Sequence, residues 1–370
     1  MLILMVVMPF TQMILAKIKS TKIYSTSLSA MGILFLLAAA AVPTLSIACS
    51  GNEKVVEVDK NSGTLILYSG RSESLTGNIV DQFEDASGID VKVKYGKTFP
   101  IAAMILEEGK NSPADIFLAQ DPGGLGFLSA EGRLSKLPPE ITDRVAGWAK
   151  PADETWIGLS GRARTLVHSA SIGESELPSS LEDLTDPKWK GRLGWAPANS
   201  SFQTMVTGMR VMWGEEKTRD WLKDMMANDA IVYPKNTPQV AAAAAEEISI
   251  GLVNHYYLHR FIAEEGDSFN ARNLYLSNGG PGSLVMVAGA GILDTAENRG
   301  NAEKFLKFMT STVAQQYFTA QVYEYPVVEG VKTHMLLPSL EEINMPSLTM
   351  EDLSDLKGTQ KIFQDLGMLD

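Results

Sequence analysis

Thr64-Leu-Ile-Leu-Tyr68, then Ser69-Gly-Arg-Ser-Glu73, then Leu75, Ile79, Val80 and Phe83 decide the fold class. The first five residues form an apolar run of strand length. The four apolar positions that follow recur at helical spacing and stop near Gly88, a helix terminator. Val91-Lys-Val-Lys-Tyr95 alternates as a strand does. Residues 101–108 return to helical spacing, and Ala114-Asp-Ile-Phe-Leu118 supplies a third strand. Strands alternating with helices mark an α/β protein.

The pattern continues along the chain. Residues 156–159 and 165–168 read as extended segments around a loop, Ser160-Gly161-Arg162. Residues 193–196, 248–253 and 283–288 read as strands. Residues 202–213, 215–226, 239–247, 302–309 and 313–321 read as helices.

With 370 residues, the chain has room for two or three domains and a large core. One Cys excludes an intramolecular disulfide framework and a Cys-rich zinc or iron–sulfur site. A formal charge of -12 argues against nucleic acid as partner, since phosphate binding needs a basic face. Of the four His, only His255 and His259 are close in sequence, and His259 and His334 read as surface residues.

The first 48 residues hold Lys17, Lys19 and Lys22, no acid, and an apolar run from Met31 to Val42. Leu45-Ser-Ile-Ala-Cys49 follows. Basic residues, an apolar core and small residues before a cut site form a secretory signal. The Cys after Ala48 suggests lipoprotein processing, with the membrane held through acylated Cys49. An uncleaved anchor over residues 30–48 is the alternative, and both readings put the remainder outside the cytoplasmic membrane. Residues 49–63 read as a polar tether.

Several strands end in polar or Gly-containing loops: Tyr68-Ser-Gly-Arg71, Ala119-Gln-Asp-Pro-Gly123, Pro197-Ala-Asn-Ser-Ser201 and Asn254-His-Tyr-Tyr257. Open α/β sheets bind ligands outside the carboxyl ends of their strands, so these loops predict one polar cleft. Tyr256 and Tyr257 are its sharpest feature. Phenolates are hard anionic donors suited to Fe(III), whose charge lowers the phenol pKa from about 10. Two adjacent residues reach one ion only at a strand end or a bent first helical turn, where this pattern places them. The plainer reading is an aromatic pair with one ring packed and one exposed. Ser69-Gly70-Arg71, opening a helix, and Ser160-Gly161-Arg162 are candidate anion loops, since a guanidinium fork holds carbonate, carboxylate or phosphate at two points. Catalysis finds little support: Ser160 lacks nucleophile-elbow spacing, and no thiolate nucleophile remains once Cys49 is acylated.

Seven segments also stand in an order that resembles a family: Leu67-Tyr-Ser-Gly-Arg-Ser-Glu-Ser-Leu75, Ser112-Pro-Ala-Asp-Ile-Phe117, Gln120-Asp-Pro-Gly123, Gly158-Leu-Ser-Gly-Arg-Ala-Arg164, Leu184-Thr-Asp-Pro-Lys-Trp-Lys-Gly191, Tyr233-Pro-Lys-Asn236 and Leu252-Val-Asn-His-Tyr-Tyr-Leu258. Over residues 64–331 the chain is similar to bacterial ferric-iron-binding proteins, the extracytoplasmic solute receptors of iron(III) ABC importers. The resemblance implies a two-lobed periplasmic-binding-protein type II fold, each lobe a mixed sheet flanked by helices and joined by hinge strands. It implies lobe 1 over 64–162 with a return over 285–335, lobe 2 over 163–284, and a C-terminal helical segment over 336–370. It implies Fe(III) on Tyr256 and Tyr257, with carbonate or phosphate as synergistic anion held by Ser69, Arg71, Ser160, Gly161, Arg162, Asn199 and Asn254. Some members place a His where this chain has Ser72 and a Glu where it has Gln120; others bring a third Tyr, and in that register stands His168, which is expected to ligate the iron through its imidazole in place of that phenol, its plainer role being a core or rim histidine. The implied partners are an ABC permease and its ATPase subunits, for a monomeric receptor. The rival readings are a metal-free receptor for a small anion on the same fold and, far behind, a secreted hydrolase using Ser160 or a carboxylate.

Overall fold

The structure, a computed structural model, describes residues 63–369. The expected signal peptide, Cys49 and nearly all of the expected tether lie outside the described residues. The first half opens with β1 (Thr64–Ser69), α1 (Glu73–Ser87), β2 (Asp90–Tyr95), α2 (Thr98–Glu108), β3 (Ile116–Ala119), α3 (Pro122–Ala130) and the short α4 (Pro139–Thr142). Then come β4 (Trp156–Ser169), β5 (Leu193–Trp195), α5 (Ser200–Trp213), α6 (Glu215–Ala227), β6 (Ile231–Val232) and α7 (Asn236–Ala244). The remainder is β7 (Ile250–Asn254), α8 (Tyr256–Glu265), β8 (Ala271–Leu274), β9 (Val285–Ile292), α9 (Arg299–Met309), α10 (Thr312–Val322), α11 (Leu340–Ile343) and α12 (Leu356–Asp365).

The strands follow the order β2-β1-β3-β9-β4-β7-β5-β6, with β8 also on β4. β1, β2 and β3 run parallel, and so do β5, β6 and β7. β4 joins the two groups. Its Trp156–Ala163 half pairs with β9, and from Arg164 onward it pairs with β7 and β8. The change of partner falls between Ala163, opposite Val285, and Arg164, opposite Asn254. The expected loop at Ser160-Gly161-Arg162 is therefore uninterrupted strand. Gly161 is there because a Cβ would lie 2.9 Å from Trp148 and 3.0 Å from Tyr325, a close approach that glycine permits.

Each group of strands has its own apolar core. Leu65, Leu67, Phe83, Ile105, Ile116, Phe117 and Phe305 pack around β1, β3 and β9. Trp189, Trp195, Phe202, Trp221 and Leu252 fill one side of the second sheet, and Val240, Ile248, Val253 and Leu258 fill the other. The two-lobed α/β expectation is met. The last segment spans both cores: Met350 and Leu353 belong to the first, Ile362 and Phe363 to the second. Lys357 pairs with Glu131 at the end of α3, while Thr359 bonds Thr207 of α5 at 2.7 Å.

Candidate functional site

Both groups of parallel strands direct their carboxyl ends into one cleft of about 590 Å³. Gly70 and Ser72 follow β1, Lys97 and Thr98 follow β2, and Gln120 follows β3; Asn199, Lys235 and Tyr257 follow β5, β6 and β7. The convergence expected from the polar strand ends is present. Gly70 is required where it stands, since a Cβ would meet Thr98 at 2.6 Å.

β7 ends at Asn254, and His255 begins the helical conformation with φ -58°. Tyr256 and Tyr257 thus occupy the first turn of α8, with ring centres 4.3 Å apart and planes inclined by 30°. Tyr257 lines the cleft; Tyr256 is 0 % exposed, and its hydroxyl has no partner at hydrogen-bonding geometry. Burial, then the neighbouring Tyr256, push the Tyr257 phenol well above its usual value, while Arg162 and Asn236 pull it down. His255 is fixed behind the pair. Its Nδ1 accepts from the Ala163 N–H at 3.1 Å and its Nε2 donates to the Tyr323 carbonyl at 2.6 Å, which assigns the neutral tautomer. Burial and the nearby His259 bring its pKa down to about 4.

On β4, residues two apart share a face. Ser160, Arg162 and Arg164 therefore point the same way, and all are buried. Arg162 donates to Ser201 Oγ at 3.2 Å, and Arg164 to Asn254 Oδ1 at 2.9 Å. Asn254 in turn donates to Ser201 Oγ at 3.2 Å. The Nε atoms of both arginines and Nη2 of Arg164 make no hydrogen bond. Burial and Arg162 pull Arg164 down to about 9, so it stays charged at neutral pH. Asn199 caps α5, accepting from the Ser201 N–H at 3.0 Å, and so aims the positive end of that helix at the cleft.

Arg71 and Ser160 have a different arrangement from the open anion loop expected of them. Glu324, 0 % exposed, grips Arg71 at 2.6 and 3.0 Å and accepts from Ser160 Oγ at 2.5 Å. Burial alone would lower the Arg71 pKa; Glu324 outweighs it and holds it above its ordinary value. Ser69 closes a turn, accepting from the Arg71 N–H and donating to the Arg71 carbonyl. The Gly161 N–H donates to the Tyr325 carbonyl at 2.7 Å. His168 is not brought to the tyrosines. It pairs with Ile250, at the opposite end of β7 from Asn254, which is about 13 Å along the strand from Arg164. Its Nδ1 contacts the Ser169 carbonyl at 2.8 Å. His259, expected at the surface, is buried and stacks on Tyr323 with ring centres 5.3 Å apart.

Two site residues escaped the sequence reading. Glu324 had one signal, an acid inside the apolar run Val322-Tyr-Glu-Tyr-Pro-Val327, since a buried carboxylate needs a partner. Asp121 is buried beside Arg162; burial raises its pKa, against the pull of Arg162 and of Ser200, Gly124 and Thr204. Among the described residues no cluster of three or more His, Cys, Asp or Glu could hold a metal.

Two lobes whose strand ends converge on one polar cleft, with anion-ready donors at its base, define a solute receptor. A family profile described as bacterial extracellular solute-binding protein matches residues 111–355. The chain belongs to that family. Membership implies a place outside the cytoplasmic membrane and delivery of a solute to an ABC transporter. The major ferric iron-binding protein of Neisseria meningitidis is 31% identical over 308 residues, 82% of this chain and 93% of that protein. Iron-bound HitA from Pseudomonas aeruginosa is 33% identical with a TM-score of 0.79, over 82% of this chain and 99% of that one. A Trichodesmium FutA structure with iron and citrate is 28% identical with a TM-score of 0.69, over 82% and 99%. Among the described residues no helix is long and apolar enough to cross a membrane.

Proposed function

We propose that this chain is the ferric-iron receptor of an ABC importer, binding Fe(III) through Tyr256 and Tyr257 in the interlobe cleft. The observation that carries the reading is the Tyr256 hydroxyl. It is buried without a hydrogen bond, which costs about 1–3 kcal/mol, beside a second phenol and three buried arginines. A trivalent ion on both phenolates removes that cost. The relatives in Neisseria and Pseudomonas named or described for iron support the same cargo.

The synergistic anion, carbonate or phosphate, fits the unpaired Arg162 and Arg164 nitrogens, Asn254, Ser201 and the start of α5 that Asn199 caps. Arg71 and Ser160 serve the site through Glu324 rather than as free donors. Lobe 1 is taken as 64–162 with 285–335, lobe 2 as 163–284, and 336–370 as the C-terminal helical segment. The receptor is a monomer, tethered by acylated Cys49, that hands iron to the permease and its ATPase subunits.

Ferric loading should give a visible phenolate-to-iron band that Tyr256→Phe with Tyr257→Phe abolishes. An unchanged band and affinity in the double variant would overturn the reading. The unpaired nitrogens of Arg164 favour one rival, a metal-free anion receptor. Calorimetry with phosphate, with and without a chelator, separates the two.

A further inference from the structure

The register of β5 with β7 ends at Gly251. The next N–H along β7, that of Leu252, donates to Gln239 Oε1 of α7 at 3.0 Å. The strand is built for this approach. A Cβ on Gly251 would lie 3.1 Å from Gln239 Cβ, from Gln239 Oε1 and from Val167 Cγ1, so glycine makes room for the glutamine. An amide has one oxygen that accepts and one nitrogen that donates. With its oxygen on the strand, Gln239 turns its nitrogen to Asn236, donating to Oδ1 at 3.5 Å. That in turn orients Asn236, whose own nitrogen faces away from Gln239. Asn236 is the first residue of α7 and is 0 % exposed, yet its Nδ2 has no partner at hydrogen-bonding geometry. Its neighbours Lys235 and Thr237 line the cleft together with Tyr257. The unpartnered nitrogen lies by the Tyr257 hydroxyl, close enough to act on it directly.

A buried donor without an acceptor is costly. A phenolate oxygen is the acceptor that suits this one, because hydrogen bonds to an ionised oxygen are shorter and stronger than those to a neutral one. We propose that Asn236 is a positioning residue for iron, its amide nitrogen donating to the Tyr257 phenolate oxygen in the iron-bound receptor while Gln239 and the Leu252 N–H hold that amide the right way round. This rests on the phenol pair binding iron, and it adds two residues to that site. The relay starts on β7, two residues before the strand ends at Asn254, so the strand that delivers the tyrosines also sets the group that steadies one of them. It makes the two phenolates unequal as well. Tyr257 receives a donor on its oxygen and Tyr256 has none, so Tyr256 gives more electron density to the metal.

The test loads the folded receptor from ferric nitrilotriacetate in bicarbonate buffer. It reads the position of the visible band and the rate at which excess chelator strips the iron. Asn236→Leu keeps the side-chain volume and removes the donor; Asn236→Ala removes both. A hydrogen bond lowers the energy of the phenolate electrons, so its loss should move the band to longer wavelength in both variants. Iron should leave about tenfold to a hundredfold faster, the weight of one hydrogen bond to a charged group. Gln239→Leu, which acts through Asn236, should move the band the same way and by less. In a Tyr257→Phe background only the Tyr256 phenolate remains, and there Asn236→Leu should leave the band where it is. A band unmoved in both Asn236 variants, or one that moves as far without Tyr257, overturns the proposal. Absence of the band in wild type would instead overturn the phenol reading beneath it.

Discussion

Glu324→Gln removes one charge from a fully buried pair and leaves Arg71 without a counterion. The carboxylate is held by two guanidinium bonds of 2.6 and 3.0 Å and by the Ser160 hydroxyl at 2.5 Å. Glutamine keeps an oxygen for Ser160 but cannot neutralise Arg71. Breaking a buried pair by removing one partner costs about 3–5 kcal/mol, because the surviving charge stays desolvated. At about 2–4 °C per kcal/mol for a large domain, the melting temperature should fall by about 6–20 °C. The strain comes from an uncompensated charge, so Arg71→Met added to Glu324→Gln should restore at least half of the loss. The assay is thermal unfolding of both variants followed by circular dichroism at neutral pH. A single variant that melts within about 2 °C of wild type, or a double variant no more stable than the single, refutes the reasoning.

Iron loading should release about two protons per ion in an unbuffered titration, because both phenols bind as phenolates; Tyr257→Phe should release one fewer, and equal release would count against that ligand. Stability should decline on acidification between about pH 6.5 and 4. The unfolded state protonates its imidazole near 6.5, while buried His255 resists down to about 4. That difference amounts to about 3 kcal/mol lost across the window and nothing above it. Melting curves at pH 7 and pH 4.5 should therefore diverge less for His255→Gln than for wild type. Phe363→Ala should cost about 3–5 kcal/mol, since its ring is 0 % exposed and packs 6.0 Å from Phe202. Hydrogen exchange in α5 should quicken in that variant, and unaltered protection there would show that α12 does not support the helix.

The alternation of β1, α1, β2, α2 and β3 was legible because each element has its own apolar period. The position of Tyr256 and Tyr257 at the end of β7 was legible for the same reason. The local pattern was insufficient at Gly161, which reads as a turn until Trp148 and Tyr325 are seen pressing on it. It was insufficient again at His168, where counting residues along one strand says nothing about which end of β7 it meets. Arg71 looked free because its partner lies 253 residues away. No periodicity links an Arg after the first strand to an acid beyond α10, and only the folded chain makes them neighbours.

The segment around α12 anchors Met350 and Leu353 in one core and Ile362 and Phe363 in the other. Recombining halves of two related receptors therefore faces a choice that the lobe boundaries hide. A tail taken from either parent matches that parent's own surface and mismatches the other. No single crossover leaves both seams native, so a working hybrid needs a second exchange inside the tail itself, near Ser354.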